Sequence, residues 1–182
     1  MATPPDFVAL STLTAAQLNL AGSWVVKRDT IASGASTSTV SAAFNADFTH
    51  YRVLIHNISV AAGTPNILFQ LRTGSTTAAT TYYWGGTSNN YLGNTAIQAS
   101  NTTSWQVGYA NTSAASTVDC MIYRPFDAAT TSMASTFTTG INAAGYIYGH
   151  HNQATSYDQL VVSLSASTFN ANATVIIIGM RD

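Results

Sequence analysis

The sequence predicts an all-β protein built as an antiparallel sandwich or barrel, and three observations lead to that fold class. Roughly eight to ten segments rich in β-branched and aromatic residues follow one another from Trp24 onward. Clusters of Gly, Asn, Ser, Pro and Asp separate these segments at a spacing of roughly 8–12 residues, which is typical of short strands joined by turns. Helices are not expected between the segments, so a parallel α/β sheet is excluded.

The composition indicates one folded domain with a low charge content. The chain has 182 residues, of which 46% are hydrophobic, so it is long enough and apolar enough to bury a core. Charged residues make up only 7%, whereas an average globular domain carries about 25%. Isolated soluble domains stay apart by carrying charge. The composition therefore favours a protein that packs against other copies or against another protein.

Charge and hydropathy exclude several classes of partner. The net charge is −1 and Lys27 is the only lysine, whereas nucleic-acid binding needs clustered Lys and Arg to neutralise phosphates. The same scarcity argues against an electrostatic membrane contact. No apolar run approaches the roughly 18 residues of a membrane span. The N-terminal segment "MATPPDFVAL" lacks the basic and apolar regions of a signal peptide, so secretion is not expected.

Residues 1–22 differ from the rest and predict an arm that attaches the domain to another surface. The paired prolines of "MATPPDF" favour an extended chain. In "TLTAAQLNLAG", Thr14 and Gln17 form a capping box and Gly22 can end a short helix. The apolar arm residues that we expect to be buried against neighbouring copies or another protein are Phe7, Leu10, Leu13, Leu18 and Leu20. Residues 23–182 are predicted to form the sandwich domain.

Alternation along two predicted strands indicates which side chains share a face. In "THYRVLIHNISV", one face is expected to carry Tyr51, Val53, Ile55 and Asn57. In "STVDCMIYRPF", Val118, Cys120 and Ile122 are expected to share a face. We therefore interpret Cys120, the single cysteine, as a small buried hydrophobic residue rather than a catalytic thiol.

The segment "YIYGHHNQATSYDQL" invites a search for a metal site, which its spacing does not support. His150 and His151 are adjacent on a predicted strand and therefore point to opposite faces. No zinc-binding motif is present, and neither a metal nor another cofactor is expected. His50 and His56 share the face of another strand but lie about 20 Å apart. We expect surface or turn histidines, with stacking at a subunit contact as a further role.

The sequence also gives no local support for a catalytic centre. All seven acidic residues are Asp, and no local motif pairs two carboxylates across a cleft. Asp47 and Asp158 each precede a strand, where Asp commonly hydrogen-bonds the amides of a turn. A G-x-S-x-G motif, a phosphate loop and a dinucleotide fingerprint are all missing. The prediction is a protein without enzymatic activity.

Aromatic residues provide the strongest indication of a binding surface. "TYYWGG" is followed along the chain by Trp105 and, later, by Tyr146 and Tyr148. Such side chains fill a sandwich core or a subunit interface when buried, and contact sugars or proteins when exposed. Both interpretations remain open. The candidate residues for a surface, glycan or subunit contact are Tyr82, Tyr83, Trp84, Trp105, His150 and His151.

The order of the segments carries a resemblance that covers nearly the whole chain. An arm with "LTAAQLN" precedes "TIASGASTSTVSAAF", "YRVLIHN", "ILFQLRTGS" and "YYWGG", and the chain closes with "GHHNQATSYDQLVVSLSAS" and "ATVIIIGMR". This order resembles small bacteriophage virion proteins known as minor tail, tail-fibre or head-appendage proteins. Two segments depart from the pattern. The closing strand ends "IGMR" instead of "YG" plus a basic residue, and the turn "STFNANAT" lacks the usual glycines.

The resemblance implies a jelly-roll-like β-sandwich, often a homotrimer, that the N-terminal arm mounts on the virion. It implies a binding role without catalysis, as a tail-associated fibre or adhesin that presents loops to the host. The alternative within this class is a capsid decoration (cement) protein that stabilises the head. Outside the class, the alternatives are a free-standing glycan-binding lectin and a glycan hydrolase. The expected partners are other copies of the chain, virion proteins of the tail or capsid, and a host surface glycan. Nucleic acid and membrane insertion are not expected.

Overall fold

A computed structural model describes residues 22–90, 93–112, 114–140, 143–170 and 172–181. Their regular elements are strands: β1 (Ser23–Ile31), β2 (Thr37–Val40), β3 (His50–Ile58), β4 (Asn66–Thr73), β5 (Thr76–Thr77), β6 (Tyr82–Asn90), β7 (Gly93–Thr102), β8 (Trp105–Tyr109), β9 (Ser116–Tyr123), β10 (Thr131–Thr138), β11 (Ala143–His151), β12 (Gln159–Leu164) and β13 (Ala173–Met180). No helix occurs among these described residues, which confirms the all-β prediction. The helix expected from Thr14, and the arm residues from Phe7 to Leu20, lie outside the described ranges.

The strands form two antiparallel sheets around one core. The larger sheet has the order β1-β13-β3-β9-β10-β11-β6-β7, and the smaller one has the order β2-β12-β4-β5, with β8 also paired to β4. Inward side chains of both sheets belong to one buried cluster, among them Val53, Ile55, Leu71, Trp105 and Val162. A hydrogen bond of 2.8 Å from Ser135 Oγ to the Val107 carbonyl joins the larger sheet to β8. This arrangement is consistent with a β-sandwich.

Four strand pairs are nested along the chain. The outermost pair is β1 with β13, followed by β2 with β12, β3 with β9, and β4 with β8. Successive pairs alternate between the larger and the smaller sheet. Strands β10, β11, β6 and β7 then extend the larger sheet beyond β9. We call these four strands the sheet extension, and it carries the candidate site.

The predicted faces hold for most of β3 and change at its end. Tyr51, Val53 and Ile55 share one face, as alternation predicts, and all three are fully buried. Asn57 was expected to share this face but is exposed, and Ile58, which was expected on the opposite face, is buried. The register shifts between Ile55 and Ile58, and Asn57 has a φ of 60°. This bulge adds one residue to the strand, so the side chains that follow it point to the opposite faces from those that alternation predicts.

Cys120 occupies the place that alternation predicts. It is buried on β9 together with Val118 and Ile122. Desolvation by this burial raises the pKa of the Cys120 thiol, so the reactive thiolate is disfavoured. The geometry agrees with the interpretation of Cys120 as a packing residue.

Candidate functional site

Alternation along β6 and β11 divides the aromatic candidate residues between the two faces of the larger sheet. Tyr82 lies opposite His151 across the strand pair, and Tyr83 lies opposite His150. The Tyr82 and His151 side chains are fully buried, whereas His150 is exposed on the outer face. The prediction that His150 and His151 face opposite sides of their strand is therefore confirmed.

The inner set forms part of the core. Trp105 is fully buried, and its ring meets the Tyr82 ring edge-on with centroids 5.2 Å apart. The His151 ring stacks on Tyr82 at 4.2 Å. Burial of Tyr82, Trp105 and His151 contradicts a surface or ligand contact for these three residues. Tyr82 and His151 lie on the inward face of β6 and β11. Trp105 lies on β8, which packs in the interior so that the first four of its five residues are buried regardless of alternation.

His151 is held in the core as a neutral side chain. Its Nε2 lies 2.7 Å from the Tyr157 hydroxyl, and its Nδ1 lies 3.3 Å from Thr81 Oγ1. Because the Thr81 hydroxyl donates to the Thr80 carbonyl at 2.6 Å, its oxygen is left to accept from Nδ1–H. With this tautomer, Nε2 accepts the Tyr157 hydroxyl proton at 2.7 Å in preference to Gln153 Oε1, which lies 3.4 Å from the same hydroxyl. Desolvation lowers the pKa of His151, so burial favours this neutral form.

We expect the stability of the protein to fall as the pH drops below about 6.5, the ordinary pKa of histidine. A histidine whose folded pKa is lowered binds its proton more readily in the unfolded chain. Its contribution to stability is present above the unfolded pKa and is lost as the pH falls towards the folded pKa. The range between about pH 5 and 7 brackets the ordinary pKa of histidine, so the effect of His151 should be seen there. Urea denaturation at a series of pH values measures the effect.

A matched pair of variants tests whether His151 causes this pH dependence of stability. His151→Gln should flatten the change in the urea midpoint between about pH 5 and 7. His150→Gln, which alters the exposed neighbour, should retain the wild-type change. Equal flattening in both variants would contradict the assignment to His151.

The outer set lines an open groove on the sheet extension. The groove has a volume of about 780 Å³, and its lining includes Tyr83, Gly85, Tyr148 and His150. This volume lies within the roughly 300–1,000 Å³ of small-ligand clefts. Trp84 packs partly against the core and also lines the groove. Of the six residues predicted for a contact, the structure brings Tyr83, Trp84 and His150 together at one site.

Two stacked ring pairs form the aromatic part of the groove face. The Tyr83 and His150 rings are nearly parallel, with centroids 4.9 Å apart and an interplanar angle of 10°. Tyr146 and Tyr148 stack at 5.5 Å, and they are 43% and 56% exposed. Such exposure of large rings, outside the core, marks a surface for contact with another molecule. Tyr148 lines the groove, and Tyr146 extends the aromatic surface along β11.

Strand β7 supplies groove residues that sequence reasoning missed. Gln98, Ala99 and Ser100 line the groove, but the segment "GNTAIQASNT" was not recognised as a strand. It is an edge strand with few apolar residues, so its pattern is weak. The signal that it does carry is the alternation of inward Ile97 and Ala99 with outward Gln98.

Asp119, Asp127 and Asp158 take part in structural contacts. Arg52 holds Asp119 through two hydrogen bonds of 2.9 and 2.5 Å, and Arg124 pairs with Asp127 at 2.9 Å. The Asp158 carboxylate accepts the Gly74 N–H at 3.2 Å, which confirms its predicted role in a turn. Within the described ranges, no group of three or more His, Cys and Asp side chains is placed to hold a metal ion. Nor does that part of the chain contain a helix long and apolar enough to cross a membrane.

Comparison of the chain with protein-family models, curated proteins and solved structures found no match.

Proposed function

We propose that this chain is a non-enzymatic bacteriophage virion protein, of the tail-fibre or adhesin type, that binds through the groove of the sheet extension. The observation that carries the proposal is an exposed groove lined by aromatic and uncharged polar side chains, built on strands outside the nested pairs. A binding site added to a scaffold in this way can vary while the scaffold is kept. The resemblance of the segment order to small virion proteins supplies the biological context.

We further propose that the nested strands form a jelly roll. In a jelly roll, eight strands behave as a long hairpin wound into two sheets. The four nested pairs, β1–β13, β2–β12, β3–β9 and β4–β8, supply eight strands in this relation. Their alternation between sheets agrees with the winding of such a hairpin. In this assignment the sheet extension consists of two insertions, one after β4 and one after β9.

The arm and the oligomer belong to the same proposal. Residues 1–22 attach the domain to the virion, and three copies associate through surfaces that are poor in charge. Fully burying a Leu or Phe contributes roughly 1.5–3 kcal/mol, so Phe7 and the four arm leucines provide enough apolar surface for attachment.

The location of the protein on intact virions tests this function. Virions labelled with a gold-conjugated antibody against the chain should show the label at the tail. Virions made with a chain that lacks residues 1–21 should lose the label, while light scattering of the full chain should give a trimer mass. Label on the head would replace the adhesin function by capsid decoration. If the antibody labels no part of the virion, the virion function is wrong and a free-standing binding protein is the remaining candidate.

A further inference from the structure

We propose that the groove of the sheet extension binds an uncharged carbohydrate, with one sugar ring lying over Gly85 between Tyr148 and Gln98. This inference rests on the proposed function as a binding protein and names the ligand class of the same groove. It follows from the register of three strands, from the stacked rings and from a groove lining that holds no Asp, Lys or Arg among the residues that the structure describes.

The strand register places a glycine between two larger residues on the outer face, which leaves a gap where one side chain is missing. Gly85 on β6 lies opposite Tyr148 on β11 and, on its other side, opposite Gln98 on β7. These three residues form one row across the sheet. Because neighbouring strands are about 4.8 Å apart, the backbones of Tyr148 and Gln98 are separated by about 9.6 Å. Gly85 leaves the space between them empty, and that space has room for one six-membered ring.

The next row closes one end of the gap. Tyr83 and His150 occupy adjacent positions on β6 and β11, and their parallel rings stand beside the gap. A bulge in β7 interrupts the pairing between Tyr82 and Trp84, and Ser100 from this bulge lines the groove. Bulges often redirect a side chain next to a binding site.

The chemistry of the lining matches a sugar. The C–H face of a pyranose packs against an aromatic ring, and Tyr combines such a ring with a polar hydroxyl. The hydroxyls around the ring need donors and acceptors, which the Gln98 amide and the Ser100 and Ser132 hydroxyls supply. Ligand clefts commonly combine apolar and aromatic walls with a few polar groups that fix orientation.

The charge distribution favours an uncharged ligand. Among the described residues no Asp, Lys or Arg lines the groove, so a ligand with a sulfate, phosphate or ammonium group meets no permanently charged side chain there. On the same face of the larger sheet, Arg52 and Asp119 are already paired with each other. A charged ligand would lose hydration without a compensating partner.

The test measures binding of the full chain to immobilised neutral oligosaccharides of glucose, galactose and mannose. An acidic panel of matched size, carrying uronic or sialic acids, is measured in parallel. We expect binding to at least one neutral oligosaccharide and none to the acidic panel. Tyr148→Ala should weaken this binding about tenfold or more, because it removes the exposed ring.

A second variant blocks the groove without removing an aromatic ring. A Cβ at position 85 would meet only Gln98 Cβ at 3.6 Å and the Ile97 carbonyl oxygen at 3.7 Å, both ordinary contacts. Gly85→Val therefore fits the strand, where β-branched residues are favoured, and places its methyl groups in the gap. It should abolish binding while leaving the thermal unfolding transition in place.

Tyr123→Ala provides the matched control. Tyr123 is an exposed tyrosine on the same sheet, 36% accessible and absent from the groove lining. Its substitution should leave carbohydrate binding unchanged.

An equal loss of binding in Tyr148→Ala and Tyr123→Ala would overturn the assignment of the site to the groove. Failure to bind any neutral oligosaccharide would overturn the ligand class, as would binding to the acidic panel alone. A change from oligomer to monomer in Tyr148→Ala would make the groove a subunit interface instead.

The outcomes for this inference and for the proposed function are separate. If soluble protein blocks adsorption of virions to cells but binds no neutral oligosaccharide, the adhesin function stands and the carbohydrate assignment fails. If it binds neutral oligosaccharides but the antibody labels no part of the virion, the carbohydrate assignment stands and the virion function fails.

Discussion

Replacing Trp105 with alanine is expected to lower the free energy of unfolding by about 3–5 kcal/mol. Trp105 is fully buried between the sheets, where its ring contacts Tyr82 and lies 6.4 Å from the His151 ring. Removing the indole deletes buried apolar area and leaves a cavity that these side chains cannot fill. Since native domains are stable by only about 5–15 kcal/mol, urea denaturation followed by circular dichroism should show a large fall in the midpoint.

Trp24→Ala is the matched control for Trp105→Ala. Trp24 is 44% exposed and lies on β1 at one edge of the larger sheet. Its loss should change the free energy of unfolding much less, by about 1 kcal/mol or below. Trp105→Phe should fall between the two variants, because it keeps an aromatic ring in the core. Comparable losses for Trp105→Ala and Trp24→Ala would contradict the packing described for β8.

Gly86→Ala is expected to disturb the sheet extension, with a loss of about 1–3 kcal/mol or more. A Cβ at position 86 would collide with the carbonyl oxygen of Tyr146 and would lie 2.8 Å from Ile147 Cα. Both are backbone atoms of β11, so relief requires the two strands to separate. The thermal unfolding midpoint measures the loss, and amide hydrogen exchange should show faster exchange in β6 and β11 than in the wild type.

The preceding residue provides the control for Gly86→Ala. Gly85→Ala places a methyl group on the outer face, where its nearest neighbours are at ordinary van der Waals distances. It should be neutral or slightly stabilising, since alanine also reduces the entropy of the unfolded chain. Equal changes in the thermal unfolding midpoint for Gly85→Ala and Gly86→Ala would contradict the close approach of β6 to β11 at Gly86.

Local alternation explains what the sequence predicted correctly. The division of His150 from His151, and the inward position of Cys120, depend only on the two-residue period of a strand. Where the period fails, so does the prediction. The bulge after Ile55 reverses Asn57 and Ile58, and β8 is buried on both faces, so no pattern there distinguishes Trp105 from a surface residue.

The groove could not be predicted because it depends on register between distant segments. Tyr148, Gly85 and Gln98 become neighbours only through the pairing of β11 with β6 and of β6 with β7. No local pattern encodes that register. The composition of the "TYYWGG" segment pointed to binding, but Tyr82 faces the core while Tyr83 faces the groove. The sequence therefore indicated the type of side chain involved and not the site that those side chains form.

The nested strand pairs also have a consequence for the timing of folding. Strand β13 lies between β1 and β3 and pairs with both, so the larger sheet cannot close before the ribosome has synthesised the chain through Met180. Contacts between such distant segments make folding slow. Until then, a nascent chain exposes apolar strands with unpaired edges, which is the state most prone to aggregation. The rate of synthesis and access to chaperones should therefore affect the yield of folded protein.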